Sequence, residues 1–136
     1  MNATPVFIIV LRVMGVGIIA AGSMHIVFGL GADQMLGAIV SSQSLTDPVL
    51  DSQNRFYGAA FILYGVLLFV ISQNLNQYSR ILSCLLWVFL GAGLVRIISV
   101  ILFGWPPPFV ISLLVIELAL PALLLVWFSR ISTQHT

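Results

Sequence analysis

Four long apolar stretches constrain this chain more than any other feature. A helix rises about 1.5 Å per residue, so a bilayer core takes roughly 20 apolar residues to cross. The stretches run from about Pro5 to Gly29, through Phe56 to Ile71, from Ile81 to Phe103 and from Phe109 to Phe128. The second gains a natural start at Asp47-Pro48, an N-cap followed by proline at the first helical position. The expected helices are therefore about 5–29, 48–72, 81–104 and 109–129 within one domain, 1–136. The expected fold is all-α, an antiparallel bundle of four transmembrane helices.

The charge count excludes a soluble alternative. Only 7% of the residues are charged and 60% are hydrophobic, against roughly 25% charged in a soluble domain. Nine charges cannot cover a water-facing surface. A disordered chain and a nucleic-acid binder are excluded on the same ground. The first stretch does not read as a signal peptide, because it lacks a basic leading region and carries Arg12 inside its apolar run. Four spans put both termini on one side, with Arg80 and Arg130. The excess of arginine there places that side in the cytoplasm. Phe28, Phe56, Tyr57, Trp105 and Phe109 then fall in the outer aromatic belt, and Tyr78, Trp127 and Phe128 in the inner one.

Ionisable groups at membrane depth need a partner or an exit. Arg96 lies eight residues before Gly104, and Glu117 lies eight residues after Phe109. Both therefore sit about 12 Å below one face. The Trp105-Pro106-Pro107-Pro108 turn joins their helices, so a mutual salt bridge is expected. His25 and Arg55 belong to the same outer half, as do Tyr57 and Tyr64, seven residues apart on one helical side. Asp51 and Arg55 are four apart in the order that favours an ion pair. The ligand-binding candidates are thus His25, Arg55, Tyr57, Tyr64, Arg96 and Glu117. The structural pairs are Arg96 with Glu117 and Asp51 with Arg55.

The other polar groups have plainer expectations. Arg12 snorkels to the inner face. Asp33, Asp47, Arg80 and Arg130 are loop and end charges. Cys84 is a small buried side chain. Gly17 with Ala21, Gly58 with Gly65, and Ala92 with Gly93 mark close helix contacts. Pro121 removes the helical partner of the Glu117 carbonyl and favours a kink. In the connection 31–47, Met35 to Val40 is apolar enough to lie in the interface. No metal site is expected from one Cys and two distant His, of which His135 is in the tail. No cofactor motif and no catalytic set is legible. Ser23 and His25 are two apart on a helix and face different ways.

The run Asp51-Ser52-Gln53-Asn54-Arg55-Phe56-Tyr57-Gly58 has a familiar order, as do Arg96-Ile97-Ile98-Ser99, Gly104-Trp105-Pro106-Pro107-Pro108 and Glu117-Leu118 with Pro121. Over about Ser23 to Leu123 the chain resembles a family of small bacterial four-helix membrane proteins known only as a domain of unknown function. The resemblance implies a bacterial inner membrane and no activity. The residues that match the family's pattern are His25, Asp51, Arg55, Arg96 and Glu117.

Three functions fit these residues. The first is binding of an anionic amphiphile or membrane lipid in an outer-leaflet polar pocket. The second is an accessory or scaffold subunit of a larger membrane complex, or a homo-oligomer. The third is a small membrane enzyme or proton-coupled transporter, with Glu117 carrying the proton and His25 relaying it.

Overall fold

A computed structural model describes residues 3–133, with side chains over 4–131; His135 lies outside them. Every regular element is helical: α1 (Ala3–Phe28), α2 (Gly31–Met35), α3 (Ser42–Leu45), α4 (Pro48–Gln73), α5 (Ser79–Phe103) and α6 (Pro108–Thr133). α1, α4, α5 and α6 are the four helices long and apolar enough to cross a membrane. Most of their apolar side chains are exposed; only 11% of the most apolar window of α5 or of α6 is buried. In water such surfaces would aggregate, whereas lipid tails solvate them without penalty.

The ends of the helices follow local chemistry. Asp47 caps α4 by accepting from the N–H groups of Val49 (2.8 Å) and Leu50 (3.3 Å), with Pro48 at the first helical position. α1 stops at Gly29, whose φ of 55° places it in the left-handed region and lets its N–H return to the His25 carbonyl. α5 stops at Gly104, also at positive φ, before three prolines that cannot continue it. α6 runs through Pro121 as one helix, with that proline fully buried.

The helices form two compact units, Ile9–Gln73 and the rest of the described chain. In the first unit α1 and α4 meet at glycines. A Cβ on Gly22 would stand 2.5 Å from the Gly58 carbonyl oxygen, and one on Gly65 would stand 2.7 Å from that of Gly15. Numbers rise along one helix as they fall along the other. A spacing of seven residues returns each glycine to the same face after two turns. Gly17, expected at such a contact, instead meets nothing within 4 Å. The four-residue spacing to Ala21 pointed at the wrong face of α1; Gly15 and Gly22 carry the contact.

In the second unit the ring of Phe7 packs edge-on against Trp127 (5.3 Å) and stacks on Phe128 (5.8 Å). α5 and α6 pair along their length. Gly93 makes their approach possible, because a Cβ there would lie 3.1 Å from the Cβ of Glu117 and 3.0 Å from Leu118. Cys84 is exposed, contrary to its expected burial. An exposed apolar environment suits a thiol as well as a core does, so hydropathy alone does not sort it.

Candidate functional site

The pairing of α5 with α6 sets the first site. Gly93 brings the two backbones together, and Arg96 lies three residues on, so both share one helix face. From there the Arg96 Nε donates to Glu117 Oε2 at 2.5 Å. The carboxylate is shielded, with 12% of its side chain exposed, whereas the arginine side chain remains 39% exposed. Glu117 is the sole hydrogen-bond partner of Arg96 among the described residues. A guanidinium has five N–H donors, and its Nη groups have no hydrogen-bond acceptor among the described residues. Arg96 also lines a small cavity of about 70 Å³ with Ser99, Val100, Gly104, Pro106, Val110 and Leu114. One cation and one hydroxyl thus stand in an otherwise apolar hollow under the α5–α6 turn.

The second polar set belongs to the other unit, at the end of α1. Arg55 uses its whole fork: Nε and Nη2 donate to Asp51 (2.7 and 3.3 Å), and Nη1 donates to the carbonyls of Ile26 and Val27 (3.3 Å for Val27). Those carbonyls are among the last four of α1, which have no partner within the helix. The Asp51 carboxylate accepts from the Leu30 N–H just beyond. Gly29 is required between them, because any side chain there would collide with Asp51. Arg55 and Asp51 therefore form a clamp that caps one helix from another.

His25 is buried beside this clamp. Its Nδ1 faces the Ala21 carbonyl at 2.7 Å, and its Nε2 faces Asp33 Oδ1 at 3.3 Å. Asn54 donates to the other Asp33 oxygen at 2.8 Å, while its own Oδ1 is buried without a hydrogen-bond partner among the described residues.

These contacts sort the sequence candidates. The two expected ion pairs are present, Arg96 with Glu117 and Asp51 with Arg55. His25, Arg55, Tyr57 and Tyr64 fall in one unit, and Arg96 and Glu117 in the other. Tyr57 is exposed with its ring against Phe56, and Tyr64 is half-buried. Two loop and end assignments change. Asp33 is not a free loop charge but the partner of His25 and Asn54. The turn at Gly29 folds α2 back over the end of α1, and that glycine after Phe28 was the available signal. Arg12 does not merely snorkel; its Nε donates to Ser72 Oγ at 3.1 Å, one residue before α4 ends. Among the described residues, no three His, Cys, Asp or Glu side chains come together as metal ligands.

Comparison with known families adds one finding. The family described as a domain of unknown function (DUF4345) matches residues 6–128. The chain belongs to that family. Its match spans all four long helices, both ion pairs and the His25–Asp33 contact. No curated protein and no solved structure matches the chain.

Proposed function

We propose that Arg96, held by Glu117, is the head-group site for an anionic amphiphile of the membrane. One observation carries this reading: an arginine on a membrane-length helix is hydrogen-bonded through Nε alone among the described residues, and the same residue lines a largely apolar cavity. A carboxylate or a phosphate matches that fork with two oxygens. Ser99 adds a hydroxyl. Val100, Val110 and Leu114 wall the hollow, which at about 70 Å³ admits a single small anionic group such as a carboxylate and no lipid chain. The tail would lie along the exposed apolar faces of α5 and α6. Burying an ion pair is seldom a gain in stability over apolar packing, so its presence at this depth favours a ligand role. Glu117 serves as the positioning residue that aims the guanidinium.

The wider setting of this proposal is a bacterial inner-membrane protein with antiparallel spans and both termini in the cytoplasm. The one-sided placement of Arg80 and Arg130 supports that orientation. Arg55 is assigned to the α1 clamp rather than to the ligand, because all three of its nitrogens are engaged. The test is native mass spectrometry, with lipid extraction, on protein purified in mild detergent. Arg96→Ala should lose a bound amphiphile that Arg55→Ala retains. An unchanged bound-lipid profile in Arg96→Ala overturns the proposal.

A further inference from the structure

The connection from α1 to α4 is built the wrong way round for water. Its two charges, Asp33 and Asp47, are both bonded to groups of the protein. Asp33 accepts from Asn54 and contacts His25, and Asp47 caps α4. Its apolar side chains point the other way: Met35 is 64% exposed and Ile39 93% exposed. Val49 and Leu50, on the first turn of α4, are exposed as well. Soluble loops do the reverse, because each exposed aliphatic side chain forgoes favourable burial.

This arrangement is imposed by the backbone. Gly37, at a φ of 96°, ends α2. The Gly37 N–H returns to the Gln34 carbonyl at 3.0 Å, and the Ala38 N–H to the Asp33 carbonyl at 2.9 Å. That pair of bonds is the Schellman pattern, which sets the direction in which the chain leaves a helix. Here it leaves Ile39 outward, between the partly buried Ala38 and Val40. At the other end, Ala32 is fully buried and Asp33 anchors α2. The outward apolar face is therefore held in place from both sides.

We infer that residues 35–40 form a lip that inserts into the lipid at the membrane surface. Connectivity supplies the occupant. The segment is tethered between α1 and α4, both long and apolar enough to cross a membrane, and Asp33 holds it against His25 and Asn54 near the ends of those helices. It holds no basic residue between 31 and 47, so attraction to anionic head groups does not drive it. The partner is the apolar layer beneath the head groups, entered by aliphatic side chains. The α4–α5 connection is the contrast within the same chain. It is polar, with Asn74 and Gln77 bonded to each other, and it has nothing to insert.

The experiment uses the full-length protein in phosphatidylcholine vesicles, with and without chain-brominated phosphatidylcholine. An environment-sensitive fluorophore is attached to Ile39→Cys or to Asn76→Cys, each in a Cys84→Ser background. Size-exclusion elution establishes that each variant is folded. The label at position 39 should be quenched by brominated lipid about twofold or more above the label at position 76. Aqueous iodide should rank the two labels in the opposite order. Equal quenching by brominated lipid overturns the inference. So does a label at position 39 that is shielded from lipid while Ile39→Cys forms disulfide-linked dimers, because a second copy of the chain would then cover the lip.

Discussion

The glycine contacts between α1 and α4 permit a test in which one substitution has opposite effects at two positions of the same helix. Gly17 and Gly22 are both in α1, and only Gly22 faces α4. At Gly17 an alanine meets nothing within 4 Å. It therefore brings only its better helix propensity, worth about 0.5–1 kcal/mol. At Gly22 the new Cβ would lie 2.5 Å from the Gly58 oxygen and 2.9 Å from Ile62 Cγ1, where ordinary contact begins at 3.4 Å. The helices must separate by about 0.9 Å at that level, a gap that forfeits a quarter to a half of the local dispersion energy. Overpacking of this kind costs about 1–3 kcal/mol, and propensity offsets up to about 1 kcal/mol of it. The expected net loss for Gly22→Ala is about 1–2 kcal/mol, against a small gain for Gly17→Ala. For a chain of this size the two apparent Tm values should differ by about 6–12 °C. The assay heats detergent-solubilised protein in steps and follows the surviving monodisperse peak by size exclusion. Equal midpoints, or a more stable Gly22→Ala, would refute the packing argument, since propensity alone treats the two positions alike.

Two further outcomes follow from the ion pairs. In a double-mutant cycle, Arg96→Ala and Glu117→Ala should couple by about 1–3 kcal/mol in thermal or denaturant stability. Arg96→Ala should be the more damaging single change, because it strands the shielded carboxylate whereas Glu117→Ala leaves an arginine that can reorient; additive losses would mean the two side chains do not interact. Arg55→Lys should loosen the end of α1, since an ammonium cannot reproduce the fork that reaches Asp51 and the Ile26 and Val27 carbonyls together. Hydrogen exchange at the Leu30 amide should then quicken several-fold, and an unchanged rate would detach that clamp from the stability of the turn.

Much of the candidate site was legible because depth in a membrane helix is a count of residues. Arg96 and Glu117 are each eight residues from the same turn, and a lone acid and a lone base at one level have little choice of partner. The Asp51–Arg55 pair is local to one helix and needs only the spacing of four. The contacts of His25 were not legible. Asp33 is eight residues away and on another element, and it reaches His25 only because Gly29 takes a left-handed turn. Gly17 misled for a related reason. A small residue marks a possible close contact, but which face of the helix is used depends on the partner helix.

The sequence by itself determined the class of molecule, the four membrane-length helices, their capping signals and the two ion pairs. These depend on hydropathy and on distances along the chain, which are fixed by covalent connectivity. Tertiary structure decided which groups became free and which became saturated. The fork of Arg55 is used up because the carbonyl end of α1 is beside it, and the fork of Arg96 is left open because, among the described residues, only Glu117 meets it. Two arginines that looked alike in the sequence thus have different hydrogen-bonding environments, since a hydrogen-bond donor is satisfied only by whatever acceptors folding brings within reach.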